Sequence, residues 1–319
     1  MESNYIYITG ASGLLGRYLI SELINNSNYK IVALTSCPEK LKDLLKDKKN
    51  KITYSNYKSF LSNKVSKEQL CNGGGDKILI HSAFTRKNKP TEIKKALDLT
   101  KDIFQKCREM QFQGVLNISS RSVYKEPEIG TLNNEASPLL LKGLISIGKY
   151  TTELLAKSYF EDTLTQYSNL RIASINELKL DNNIIRPLNV FVDCVINGCS
   201  IHIKGGNQIM SYIAPQDVAS AIHSLLKIYK KGWKDIYNIG TGWFCTEKII
   251  NLAHLVNERA LKFGYSKVDV EIENIPVNQT SGLDISRIIA DTGWQPKISL
   301  CDMIDSLYEI KIKNLLYDC

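Results

Sequence analysis

The chain has 319 residues, 43% of them hydrophobic and 23% charged, which suits one large or two fused water-soluble domains and excludes a disordered or fibrous chain. No apolar run approaches the length of a membrane span, and the chain opens on a buried-type strand rather than a signal peptide, so a cytoplasmic protein without membrane contact is expected. The net charge of +8 comes from lysines spread over helix surfaces, densest from Lys40 to Lys51; nucleic acid is not expected as a partner, whereas an anionic small ligand is compatible.

The first element is the apolar, β-branched run from Tyr5 to Thr9, followed by three glycines spaced G-x-x-G-x-x-G at Gly10, Gly13 and Gly16. A helical pattern (Leu14, Leu15, Tyr18, Leu19, Leu23) starts at once, so the stretch reads as strand, tight turn and helix. In that setting Gly10 turns the chain sharply, Gly13 lets a pyrophosphate approach the backbone and Gly16 lets the helix pack on the sheet. The positive end of the helix then faces the phosphates. A glycine triplet alone also describes a plain turn; its place between a strand and a helix favours the dinucleotide reading.

Lys30 to Leu34 reads as the second strand. A carboxylate at its end would bind a ribose 2′-hydroxyl and repel a 2′-phosphate. Here Thr35 and Ser36 follow, with Arg17 and Lys40 in reach, which favours NADP, with NAD as the alternative; as plain loop and helix-cap residues they would say nothing. Ile52 to Ser55 is a short strand, and a helix and loop are expected up to Gly75. Lys77 to Ala83 is a buried strand, Thr91 to Met110 an amphipathic helix and Gly114 to Ser120 a further strand. Strands and helices alternating at these lengths imply right-handed crossovers and a parallel, doubly wound α/β sheet of Rossmann type.

Several segments resemble an extended short-chain dehydrogenase/reductase of the NAD-dependent epimerase/dehydratase family. Thr9-Gly10-Ala11-Ser12-Gly13-Leu14-Leu15-Gly16 matches its T-G-x-x-G-x-x-G, and His81-Ser82-Ala83 is similar to its H-x-A-A. Ser119-Ser120-Arg121-Ser122-Val123-Tyr124 resembles S-S-x-x-V-Y, Tyr237 to Gly242 resembles Y-N-x-G-x-G, and Gly293-Trp294-Gln295-Pro296 resembles G-W-x-P. The matches keep their order over nearly the whole chain. The family mostly acts on nucleotide-linked sugars, so the resemblance implies a sugar-like substrate, a nucleotide sugar among the candidates, and a cofactor held by Gly10, Ser12, Gly13, Leu14, Leu15, Gly16, Thr35, Ser36, Ala83 and Lys149.

In this family a tyrosine exchanges the substrate proton, a lysine four residues later lowers its pKa and holds the nicotinamide ribose, and a serine or threonine binds the substrate oxygen. By resemblance the serine is Ser120, and Lys149 and Glu153 match the family's K-x-x-x-E. The tyrosine position is then Ile145, which cannot exchange a proton. Tyr124 is the nearest substitute; Tyr54, although four residues before Lys58, lies where the family keeps no catalytic group, and Tyr150 is expected on another helix face. The family's diphosphate-binding arginine is also missing: Met210 stands there, with Arg186 as a replacement charge, and Ser174-Ile175-Asn176-Glu177 stands where the family has N-x-Y-G.

Helices are expected from Ile184 to Gly198, from Asp217 to Leu226, from Thr246 to Leu261 and from Ser299 to Leu315. The expected organisation is a dinucleotide-binding domain over residues 1–173 and a smaller C-terminal α/β substrate lobe over 174–319, with part of 211–245 returning to the main sheet. Eight scattered cysteines without C-x-x-C spacing and four histidines without a cluster give no support for a metal site. The expected activity is an NAD(P)-dependent oxidoreductase or epimerase on a sugar-like substrate, the other reading being an inactive NAD(P)-binding regulator or scaffold. Resemblance further implies a homodimer through Thr91 to Met110 and Pro138 to Phe160.

Overall fold

The computed structural model describes residues 4–45, 51–62, 75–176, 186–277 and 280–317. The first strand, β1 (Tyr5–Thr9), is buried along its whole length, as befits a strand covered on both faces. Ile6 and Ile8 enter the core on one side of the sheet, Tyr5 and Tyr7 the core on the other. Around it stand β2 (Lys30–Leu34), β3 (Ile52–Ser55), β4 (Lys77–His81), β5 (Gly114–Ser120), β6 (Gln166–Ile172) and, from far along the chain, β10 (Ile236–Ile239). Their order is β10-β6-β5-β4-β1-β2-β3, every neighbouring pair parallel.

On one face lies α1 (Leu14–Asn26), packed against α7 (Pro215–Ile228); on the other lie α4 (Pro90–Glu109) and α5 (Leu144–Phe160) against each other. Pro90 at the first helical position, Glu92 in the first turn and Arg108 in the last fit the start and dipole of α4. Two short helices, α2 (Pro38–Leu45) and α3 (Tyr57–Leu61), follow β2 and β3. Two small sheets, β11-β9-β7 and β12-β8, come from β7 (Ser174–Ile175), β8 (Ile201–Lys204), β9 (Ile209–Ile213), β11 (Thr246–Lys248) and β12 (Val270–Glu273). With α6 (Pro187–Ile196), α8 (Ile249–Ala260) and α10 (Leu300–Tyr317) they enclose a separate apolar cluster around Leu188, Val192, Leu252 and Ile304. The short α9 (Ser286–Thr292) lies against β10.

Some boundaries differ from the sequence expectation. The helix expected from Pro138 begins at Leu144: residues 138–143 are non-helical, Leu139 bridges to Tyr124, and Ser146 Oγ starts the helix by accepting the Gly143 N–H over 3.1 Å and donating to the Gly143 carbonyl over 2.8 Å. The helix expected from Thr246 begins at Ile249, because Thr246, Glu247 and Lys248 pair antiparallel with β9. The helix read from Ile184 runs from Pro187; Ile184 and Ile185, like Glu177, lie outside the described residues. The helix expected from Asp217 begins at Pro215, and the buried Asp217 accepts hydrogen bonds from the backbone N–H groups of Lys297 and Ile298, tying α7 to that segment.

The fit of α1 depends on a missing side chain: a Cβ on Gly16 would stand 2.4 Å from the Gly10 carbonyl oxygen and 2.7 Å from Ala11 Cα. Gly16→Ala is expected to cost about 1–3 kcal/mol in chemical denaturation. Gly143→Ala, where a Cβ meets nothing within 4 Å, should stay within about 0.5 kcal/mol of the parent. Equal effects of the two would refute this packing argument.

Candidate active site

The strand ends collect the site. In a parallel doubly wound sheet the crevice lies beyond the carboxyl ends, where the strand order reverses beside β1. Thr9 is in register with Leu34 on one side and His81 on the other, so Gly10, Thr35 and Ala83 emerge together. Gly10 has φ +66°, and a Cβ there would come within 3.0 Å of the Ala83 nitrogen, which is why a glycine makes this turn. Gly13 is the N-cap of α1, and no side chain caps that helix, leaving its first N–H groups for an anion. Leu14 and Leu15 line the central cavity. This cradle fits a dinucleotide pyrophosphate.

Polar contacts hold the crevice open. The Thr9 hydroxyl accepts the N–H groups of Ser82 (3.0 Å) and Ala83 (3.2 Å), and therefore donates to His81 Nδ1 at 3.0 Å. Thr100 donates to the Ala96 carbonyl, so at 2.9 Å it accepts from His81 Nε2, which fixes the neutral tautomer. Burial, reinforced by the charge of Lys149, pushes the His81 pKa down to about 3. The Tyr57 hydroxyl accepts the Gly10 N–H at 2.8 Å. After β2, Thr35 is buried and its hydroxyl lies 2.7 Å from that of Ser12, whereas Ser36 and Lys40 are exposed. Arg17 Nε reaches back to the Gly13 carbonyl at 3.4 Å.

The cavity, of about 730 Å³, is lined by Ser120, Ile145 and Lys149 among others. Ile145 and Lys149 sit one turn apart on α5, so both meet the cavity from the same helix face. Ser120 Oγ accepts the Ser122 N–H at 3.1 Å and donates to no acceptor among the described residues. Lys149 Nζ donates to the Ile118 carbonyl at 2.6 Å and lies 4.5 Å from the centre of the Phe84 ring. That ring packs on Gly148, where a Cβ would meet it at 2.8 Å. Burial lowers the Lys149 pKa to about 7, with Glu153 opposing the fall and Arg86 adding to it. Tyr150 is half-buried and packs against the core.

Behind this wall lies a buried ion pair that sequence reasoning missed. Arg171 on β6 donates from Nε and Nη2 to the two oxygens of Glu153 at 3.0 and 2.7 Å, and Ser119 donates to the same carboxylate. Its guanidinium also lies 4.6 Å from the centre of the Tyr124 ring. The Tyr124 hydroxyl donates to Asn238 Oδ1 at 2.8 Å, and burial raises its pKa against the opposing charge of Arg171. An arginine in the apolar stretch Leu170-Arg171-Ile172 was itself a signal, since such a charge requires a buried carboxylate. Tyr57 offered none. Met210 pairs with Glu247 and packs against the C-terminal cluster; it does not line the cavity, whereas Arg121 and Arg186 do.

The model of the NAD dependent epimerase/dehydratase family matches residues 6–240. The chain belongs to that family. Among curated relatives it is 25% identical over 331 residues to a dTDP-4-dehydro-6-deoxyglucose reductase of Escherichia coli, covering 96% of this chain and 97% of the relative. It is likewise 25% identical over 313 residues to a putative UDP-glucose 4-epimerase of Methanocaldococcus jannaschii, covering 92% and 94%. The solved structure of UDP-glucuronic acid 4-epimerase from Bacillus cereus in complex with NAD shares the fold, with a TM-score of 0.77, 18% identity and coverage of 98% of this chain and 99% of that one. Leu14 and Leu15 at the start of α1, Ser120, Ile145 and Lys149 thus stand around one cavity. No helix among the described residues is long and apolar enough to cross a membrane.

The depressed pKa of Lys149 has a measurable sign. Between about 7 and the ordinary lysine value of 10.5, the unfolded chain keeps a proton that the folded chain has released, so stability rises with pH through that window. The difference in unfolding free energy between the parent and Lys149→Met should therefore shift in favour of the parent from about pH 7 to about pH 9. A difference independent of pH would show that the amine titrates normally.

Proposed function

We propose that the chain is an NAD(P)-dependent oxidoreductase or epimerase acting on a nucleotide sugar without the family's tyrosine. The observation that carries this is the convergence of the α1 N-terminus, Ser120 and Lys149 on one cavity. When bound, NAD(P) supplies the hydride acceptor and donor. Ser120 donates its remaining hydrogen to a substrate oxygen. Lys149, with one hydrogen on the Ile118 carbonyl, has two others with which to hold ribose hydroxyls. The substrate proton passes to water, because the Lys149 ammonium is used only as a donor and the Tyr124 hydroxyl is engaged by Asn238. The same reading includes a cytoplasmic homodimer that covers the exposed Ile147 and Leu154 of α5.

Thr35 and Ser36, in place of a carboxylate, together with Arg17 and Lys40, support a preference for NADP(H) over NAD(H). Titration with NADPH and NADH, read by energy transfer from the tryptophans, should give the tighter binding with NADPH. The reverse order would refute that preference, and no binding of either would refute the cofactor site.

Ser120→Ala should abolish turnover of keto-sugar nucleotides while leaving cofactor affinity nearly intact. Ile145→Tyr restores the family's acid–base group and should raise turnover by about 10²–10⁴-fold. Ile145 is also what favours the second reading, a cofactor-binding regulator without turnover. If the parent shows cofactor binding and no turnover while Ile145→Tyr is active, that second reading holds. If Ser120→Ala turns over substrate like the parent, the assignment of Ser120 is wrong.

A further inference from the structure

Next to Ser120 stands a charge that the reading above does not use. Arg121 lines the cavity, and its Nε donates to Ser174 Oγ at 3.0 Å, where β7 runs in register with β9 and Ser174 pairs with Tyr212. Neither Nη group makes a hydrogen bond or ion pair among the described residues. The carboxylate whose charge reaches Arg121, Glu126, is engaged by Lys142 at 3.4 Å. Burial lowers the Arg121 pKa, and nearby Arg186 lowers it further.

The surroundings offer more unanswered polarity. The Tyr212 hydroxyl, on a residue 1% exposed, has no hydrogen-bond partner among the described residues and lies within electrostatic reach of both Arg121 and Arg186. The described lining carries Arg86, Arg121, Lys125, Lys142, Lys149 and Arg186 against Glu126 as its only carboxylate. A partly buried guanidinium whose Nη groups make no hydrogen bond among the described residues is costly, and its planar fork matches carboxylate and phosphoryl oxygens.

We propose that Arg121, held against Ser174, is the seat of an anionic group of the substrate, a carboxylate or a phosphoryl group. The proposal rests on the nucleotide-sugar reading for its choice of probes. A carboxylate would place Arg121 at the sugar; a phosphoryl group would place it at the diphosphate and give it the work of the arginine replaced by Met210.

The test is calorimetric titration of the full chain and of Arg121→Gln with UDP, UDP-glucose and UDP-glucuronate. A carboxylate seat predicts that the parent prefers UDP-glucuronate to UDP-glucose and that the variant loses about tenfold to a hundredfold on UDP-glucuronate alone. A phosphoryl seat predicts the same loss on all three. Equal affinities of parent and variant for all three overturn the proposal. If no nucleotide binds the parent, the nucleotide-sugar reading fails separately and inorganic pyrophosphate decides: thermal protection lost in Arg121→Gln supports the anion seat, and equal or absent protection overturns it. Parental NADPH affinity in the variant shows that the fold is intact.

Discussion

The geometry of the site depends on the buried pair Arg171–Glu153, whose side chains are 3% and 4% exposed. Taking both charges out of water is expensive, and the arrangement is tolerable because the carboxylate is matched by two guanidinium donors and the Ser119 hydroxyl. Those bonds fasten α5 to β5 and β6 at one point. Ser119 immediately precedes Ser120, and Glu153 lies one helical turn beyond Lys149, so the same pair sets how the serine and the lysine face each other across the cavity. Through the Tyr124 ring and its bond to Asn238 the frame extends to β10.

Two kinds of constraint therefore meet at the carboxyl edge of the sheet. At the dinucleotide end the requirement is the absence of side chains, because backbone at Gly10, Ala11 and Ala83 leaves no room for a Cβ on Gly10 or Gly16. At the substrate end the requirement is charge. Lys149 lies against Phe84 and burial lowers its pKa to about 7, while Arg121 keeps its guanidinium on Ser174. Ile145, one turn before Lys149, adds a hydrocarbon to the cavity wall. In the proposed reading Lys149 holds the cofactor, Ser120 positions the substrate and solvent relays the proton.

Much of this was legible in the chain itself. The strand, glycine turn and helix at the start, the buried runs before His81 and Ser120, and the alternation leading to a parallel sheet all follow from patterns among adjacent residues. Boundaries failed where a local pattern yielded to a distant partner: Thr246 to Lys248 read as helix but pair with β9, and Pro138 to Gly143 stay non-helical, with Leu139 bridged to Tyr124. Met210 was identified as the residue replacing a family arginine, yet only the structure shows its side chain in the C-terminal cluster rather than at the cavity.

The sequence by itself determined the glycine turn between β1 and α1, the alternation of strands and helices, and the spacing of Ile145 and Lys149 along one helix. These depend on glycine freedom, on the 3.6- and two-residue periods and on the spacing of four along a helix, all set by neighbouring covalent geometry. The tertiary structure decided which groups meet: Tyr57 on Gly10 across 47 residues, Arg121 on Ser174 across 53, and Tyr124 on Asn238 across 114. Such partners are chosen by where the chain re-enters the sheet, and a local pattern carries no information about that return.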